Sequence, residues 1–217
     1  MTKSNLMFRE IKSKKGQRLY KDTESDRIYE TSRGGFSWPE AIPAFICVAS
    51  QEHKTGVLYV QEETQLDNVV NLARTLDNLE KLYTVTYWVS DREGDKKILE
   101  DLLDETAKVA IDSDRYFSIS QFRIPPKLAI AAQVLRMYLK LNTLKLPAGG
   151  ILENKIKEVN QLDLRQEELQ EKYPEIMVLA SVVYEFPTMS QILDRHKVKD
   201  PWTQDDESHG RGSFMGM

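Results

Sequence analysis

Cysteine is nearly absent from this chain: its 217 residues hold one, Cys47, together with three histidines, His53, His196 and His209. A single thiol cannot close an internal disulfide, and no histidine falls beside it at metal-ligand spacing. The expectation is a reducing, intracellular setting and no structural zinc. Long apolar runs are missing as well. Nothing approaches the ~20 residues that cross a bilayer, and the start, Met1-Thr-Lys-Ser-Asn-Leu-Met-Phe-Arg9, lacks the apolar core of a secretory signal. A cytoplasmic protein with no membrane partner is expected. The glycine pairs at 34–35 and 149–150 come without the lysine of a phosphate loop and without dinucleotide spacing, which argues against a nucleotide-driven motor. No serine lies in a nucleophile-elbow context. Neither charge dominates: 30 lysines and arginines face 34 acids for a net charge of −4, which argues against a surface coated uniformly for nucleic acid.

What is present is ordinary globular material, 41% hydrophobic and 29% charged, enough for one main α/β domain. Ala44-Phe-Ile-Cys-Val-Ala-Ser50 is a continuous apolar run, as in a strand covered on both faces, and this makes Cys47 a small core residue rather than a reactive thiol. Gln51 to Gly56 reads as a hairpin turn, and Val57 to Glu63 as a second strand grading from apolar to polar. Leu66, Val69, Val70, Leu72, Ala73, Leu76, Leu79 and Leu82 then recur at helical spacing. Thr84-Val-Thr-Tyr-Trp-Val-Ser-Asp91 is a third strand that ends on an acid, with Tyr83, Tyr87 and Trp88 read as core and sheet-face packing. The strands on either side of the helix are expected to run parallel through a crossover.

Upstream, Gln17 to Tyr20 and Arg27 to Thr31 are β-compatible, and Arg33-Gly-Gly-Phe-Ser-Trp-Pro39 reads as a flexible connector. Downstream, the loop 92–95 leads to a helix over about 96–110 and a short strand over 115–120. An apolar helix follows from Pro125 to about Leu141, then an edge strand over 143–147 and helices over 151–159, about 164–172 and 174–186. The tail, 187–217, is polar and glycine-rich and is expected to be mostly disordered, with Trp202 among acids as its one docking-like feature. The domain plan is thus a basic arm or hairpin over 1–26, an α/β domain with a helical extension over 27–186, and the flexible tail.

Strands in hairpin order, then a helix, a strand and further alternating elements, resemble the ribonuclease-H-like fold, a mixed sheet flanked by helices. Leu135-Arg-Met-Tyr-Leu-Lys-Leu-Asn-Thr-Leu-Lys-Leu-Pro147, with the helix over 152–159, is similar to the late helix, short strand and helix of the nuclease domain in phage and viral terminase large subunits. Tyr173-Pro-Glu-Ile-Met-Val-Leu-Ala-Ser-Val-Val-Tyr184 is similar, in position and apolar pattern, to the terminase segment that carries the last catalytic aspartate on a helix. The resemblance spans about Arg27 to Phe186. It implies a phage or prophage protein acting near DNA packaging or virion assembly, with other packaging or virion proteins and DNA as partners, in the host cytoplasm or on the virion. It also implies phosphodiester hydrolysis by two magnesium or manganese ions held by three or more converging acids.

Carried over position by position, Asp91 matches the acid at the end of the strand after the first crossover helix, where it would be a metal ligand; turn and cap chemistry is the plainer account of it. The run Ala44 to Ser50, taken as the first strand, holds no acid, which leaves Glu30 on the preceding strand as a stand-in. The place of the last acid is taken by Ile176-Met177-Val178, with Glu175 the nearest carboxylate, and methionine does not bind hard cations. One well-placed acid of three does not make a two-metal site. The preferred reading is therefore a non-cleaving relative without a cofactor, serving as a binding or structural component. The alternatives are an active magnesium- or manganese-dependent endonuclease using Glu30, Asp91 and Glu175, and a virion structural protein with no nucleic-acid role. Lys12, Lys14, Lys15 and Arg18, clustered about Gly16, are the candidate contacts for nucleic-acid phosphates, against the plainer reading of a solvated arm.

Overall fold

The computed structural model describes residues 7–37, 43–67, 72–90, 104, 128–159 and 172–186. Within them lies one mixed sheet of seven strands: β1 (Phe8–Lys12), β2 (Arg18–Asp22), β3 (Ile28–Phe36), β4 (Ala44–Glu52), β5 (Leu58–Leu66), β6 (Val85–Ser90) and β7 (Leu144–Lys145). The helices are α1 (Leu72–Tyr83), α2 (Leu128–Lys140), α3 (Ile151–Val159) and α4 (Pro174–Tyr184). The compact unit ends at Phe186. Among the described residues, no helix is long and apolar enough to cross a membrane. The expected loop 92–95, the strand over 115–120 and the tail with Trp202 lie outside the described residues, as does most of the expected helix over 96–110, in which Asp104 is helical.

Strands β1 to β5 pair antiparallel in chain order, and β7 adds to β5 in parallel. Strand β6 returns to the middle of the sheet and pairs in parallel with β3. The strands on either side of α1 thus run in the same direction, with β4 and β3 between them. One edge of β3 is divided between two partners. Ile28 and Tyr29 pair with Lys21 and Tyr20 of β2, whereas Ser32 to Phe36 pair with Val85 to Ser90 of β6. Register shifts fall at Tyr29/Thr31 and Ser32/Gly34, where β3 changes neighbour. The β1–β2 hairpin lies within the anticipated arm over 1–26 and joins the sheet through the pairing of Tyr20 and Lys21 with β3.

Two readings of the sequence are corrected here. Leu66 closes β5 instead of opening the helix. Arg33 to Phe36 belong to β3 instead of a connector. Glycines in this strand serve close packing: a Cβ on Gly34 would lie 2.2 Å from the Trp88 ring, and one on Gly35 would lie 2.4 Å from Val182 and 2.9 Å from Val178. The two glycines therefore admit neighbours on opposite faces of the sheet.

On the Gly34 face, Leu72, Leu76, Leu79 and Tyr83 of α1 close over Phe36, Ile46 and Val48, with Phe8 stacked on Tyr29 at 5.0 Å. On the Gly35 face α4 lies across β3, β4 and β6, and α2 and α3 cover it from outside. A helix enclosed this way must be apolar all round, and Ile176 to Val183 are buried without interruption. Helix α3 starts at Gly150, where Glu63 of β5 caps it: the carboxylate accepts the Ile151 N–H at 2.6 Å and the Leu152 N–H at 3.0 Å. A Cβ on Gly150 would come 1.7 Å from Glu63 Oε1. The β2–β3 turn is built on Asp22, whose Oδ1 accepts the Glu24 N–H at 2.8 Å and whose Oδ2 accepts the Ser25 hydroxyl at 2.6 Å. Burial alone would raise the Asp22 pKa. The Ser25 hydroxyl, the Glu24 and Ser25 amides and the Arg27 charge outweigh that and hold it below the usual 3.8.

Gly35→Ala is expected to destabilise the protein by about 1–3 kcal/mol, because the added methyl must displace two packed valines. Urea titration measures this, and unchanged stability would refute the close approach of α4. Asp22 should also contribute a pH-dependent increment. Its folded pKa is depressed, so the stability gap between wild type and Asp22→Asn is fully present above about pH 4 and closes as pH falls through the lower folded value. Paired urea titrations at pH 7 and pH 3 test the sign.

Candidate functional site

The parallel strands β3, β5 and β6 all end at one side of the sheet, the side on which open α/β sheets collect their chemistry. There Ser90 pairs with Phe36 and Val89 with Gly35. One residue on, the Ser37 N–H donates to the Phe45 carbonyl at 2.8 Å and the Phe45 N–H donates to the Ser37 hydroxyl at 2.8 Å. Phe45 pairs in turn with Gln65 on β5. The row Ser90, Phe36–Ser37, Phe45 and Gln65 therefore marks a continuous rim.

Helix α4 brings an acid to this rim. Pro174 occupies its first turn, where a missing N–H costs nothing, and Glu175 follows with its carboxylate directed at β5. The residue is 6% exposed. Oε1 lies 3.5 Å from Gln65 Nε2, and Oε2 has no partner among the described residues. A buried carboxylate oxygen in this state is a seat for a cation or a hydrogen-bond donor.

Glu30 lies elsewhere. It stands near the start of β3, and its Oε1 is 2.6 Å from His53 Nδ1 at the β4–β5 turn. Seven residues separate Glu30 from Ser37, about 23 Å of extended strand. The structure thus does not bring Glu30 and Glu175 together. The reason is directional: β3 runs from Glu30 toward the rim, so only its last residues reach it. Strand β3, not the run Ala44 to Ser50, is the parallel partner of β6, which corrects the strand assignment made from sequence order. Asp91 lies outside the described residues; Ser90, its covalent neighbour, is buried at the end of β6. Lys12, Lys14, Lys15 and Arg18 are exposed around the β1–β2 turn, on a different part of the sheet. Cys47 is buried in β4, and burial, with the nearby Glu63 charge adding to it, pushes its thiol pKa upward.

The rim can be compared with what two divalent cations require. Such a pair needs several hard oxygen donors converging within a few ångströms. The rim end of β3 is Gly34-Gly35-Phe36-Ser37, which carries no carboxylate. Among the described residues Glu175 is the buried acid at the rim and Asp67 follows the end of β5 exposed, and no group of three or more His, Cys, Asp or Glu that could hold a metal gathers there. The described donor set does not fit a two-metal centre. Sequence reasoning missed Gln65 and Ser37. Gln65 is one of several polar residues at the end of β5, and Ser37 was masked by a glycine pair that resembles a turn.

No protein-family model and no curated protein matches this chain. Solved structures do match in fold. The terminase nuclease domain of human cytomegalovirus superposes with a TM-score of 0.51 at 8% identity, covering 78% of this chain and 89% of that one. The large terminase nuclease from a thermophilic phage, solved with bound zinc, gives a TM-score of 0.47 at 13% identity and covers 83% of this chain and 94% of that one. The chain has the ribonuclease-H-like fold of terminase nuclease domains. At these identities the likeness defines the fold alone.

The half-partnered carboxylate yields a stability prediction. Glu175→Gln preserves shape while removing a buried charge, so in metal-free buffer near pH 7.5 it is expected to match the wild type or exceed it by up to about 2 kcal/mol. Denaturant titration measures the difference. A loss above about 1 kcal/mol would show that Oε2 accepts a hydrogen bond in the folded protein.

Proposed function

We propose that this chain is a phage-related, non-cleaving relative of the terminase nuclease domain, acting as a binding or structural component in DNA packaging or virion assembly. The observation that supports this most directly is the register of β6 on β3. It pairs Ser90 with Phe36, so the residues of β3 that face the end of β6 are Gly34, Gly35 and Phe36, with Ser37 next in the chain. A centre that must hold cations between these two strands lacks a ligand from one of them. The partners expected from this reading are other packaging or virion proteins and DNA, in the host cell or in the particle.

A second reading, a magnesium- or manganese-dependent endonuclease, draws support from Glu175, whose buried second oxygen has no described partner at the same rim. Glu30 would not serve in it, given its place beside His53. Asp91, which follows Ser90 directly, would be required.

Incubation of the full chain with supercoiled plasmid and manganese separates the two. The expected result is no nicked or linear product, and titration calorimetry with millimolar manganese should give no binding heat. Robust cleavage that Asp91→Ala abolishes would overturn the non-cleaving reading.

A further inference from the structure

We propose that the tip of the β1–β2 hairpin is a phosphate-binding surface for the backbone of a double-stranded nucleic acid. This deepens the reading above, which expects DNA among the partners, while its observations come from the hairpin alone.

The charge distribution is the first observation. Residues 7–22 contain six lysines and arginines and two acids, within a chain whose net charge is −4. Four of the cations, Lys12, Lys14, Lys15 and Arg18, are exposed around one turn. The acids near by do little to neutralise them. Asp22 is engaged in its own turn, and Glu10 lies 3.8 Å from Arg18 in a solvent-exposed pair of little strength. Lys21 is paired with Asp26 at 2.6 Å. Lys12, Lys14 and Lys15 form no ion pair with any described residue.

The second observation is that the turn is fixed. The Ser13 hydroxyl accepts the Lys15 N–H at 3.2 Å and the Gln17 N–H at 3.0 Å, while the Gly16 N–H donates to the Ser13 carbonyl at 2.9 Å. Gly16 supplies the left-handed φ of 79° that closes the loop. Lys12 and Arg18 stand opposite each other in the ladder, so their side chains share one face. Cations carried on a closed hairpin lose less freedom on meeting a row of phosphates than the same cations on a loose arm.

The third observation is where the hairpin points. Strand β2 pairs with β3 only at Tyr20 and Lys21, because β6 takes that edge of β3 from Ser32 onward. The half that carries Lys12 and Arg18 therefore lies past the last ladder pair between β2 and β3. Its aromatics lie on the face shared by Lys12 and Arg18 but nearer the sheet, where Phe8 and Tyr20 are buried in the core. With no exposed ring to stack on unpaired bases, the tip offers charge alone, which suits a duplex backbone and carries no sequence preference.

Fluorescence anisotropy with the full chain and labelled 20-base-pair duplexes of DNA and of RNA, from 50 to 200 mM KCl, tests this. Four phosphate contacts predict that log K falls against log salt with a slope of about −3.6. The triple variant Lys12→Gln, Lys14→Gln, Lys15→Gln should reduce the slope to about −1 and weaken binding at least tenfold at 50 mM salt. Arg18→Gln alone should lower the slope by about one, and it covers the case in which the triple variant melts early. A control, Lys155→Gln with Lys157→Gln on α3, should leave slope and affinity unchanged. The DNA and RNA arms identify which duplex is preferred. Absence of binding at 50 mM salt, hairpin variants that bind as the wild type does, or a control that weakens binding equally would each overturn the proposal. None of these results bears on plasmid cleavage, so the two readings fail separately.

Discussion

Val178 and Val182 press onto β3 where Gly35 has no side chain, and Trp88 presses onto the opposite face at Gly34; the layered arrangement depends on this double approach. Strand β3 is the hub of the sheet, bonded to β2, β4 and β6. Side chains at these two positions would hold α4 and Trp88 off and open voids that a close-packed interior does not tolerate. Because α4 sits this close, it fixes which residues reach the rim. Its first turn delivers Glu175 toward Gln65, and its last residues carry the chain to Phe186, whose ring lies under the Arg33 guanidinium at 6.0 Å. The geometry of the candidate site is therefore set by a packing contact made on β3 just short of the rim.

Much of this was legible in the sequence, and the parts that were not have a common cause. The uninterrupted apolar run at Ala44 reads as a doubly covered strand because both faces of β4 are buried. The boundaries of α3 follow from a glycine pair before it and its 3.6-residue pattern. Local signals of this kind survive without tertiary information. What failed was Gly34-Gly35. Glycine pairs mark turns because of their conformational freedom, whereas here the absent Cβ matters, and that need is created by Trp88, Val178 and Val182 far along the chain. The return of β6 to β3 was equally hidden, since element order does not say which strand a crossover will join. Once that pairing is known, Glu30 falls at the far end of its strand.

The carboxylates of the described sheet are occupied in building it. Glu63 caps α3 across 88 residues of sequence. Glu62 accepts the Tyr83 hydroxyl at 3.2 Å, and burial, together with the Glu62 charge, pushes that phenol up to about 12. Asp77 pairs with Lys81 one turn along α1, Asp22 organises a turn, and Glu30 meets His53. Each of these acids satisfies amides, a hydroxyl or a cation. Asp77 keeps its other oxygen buried without a described partner, and so does Glu175, which forms no ion pair with any described residue. Buried charge without full compensation destabilises a fold, so its place at the rim calls for an explanation that packing does not supply.

Two surfaces with separate physical origins thus share one sheet. The rim is defined by buried strand ends and by α4, and its character depends on which hard oxygens converge there. The hairpin owes its existence to the divided edge of β3: where β6 takes over pairing at Ser32, β2 loses its neighbour and the β1–β2 turn projects with its lysines exposed. A charge cluster on such a projection interacts over a Debye length of about 8 Å at physiological salt, while the rim acts only on what enters it. On the proposal made for the hairpin, it would hold a polyanion whether or not the rim performs chemistry. The lack of an acid at the rim end of β3 does not affect the hairpin's charge and geometry, because no residue of the β1–β2 turn contributes to the glycine contact beside the rim.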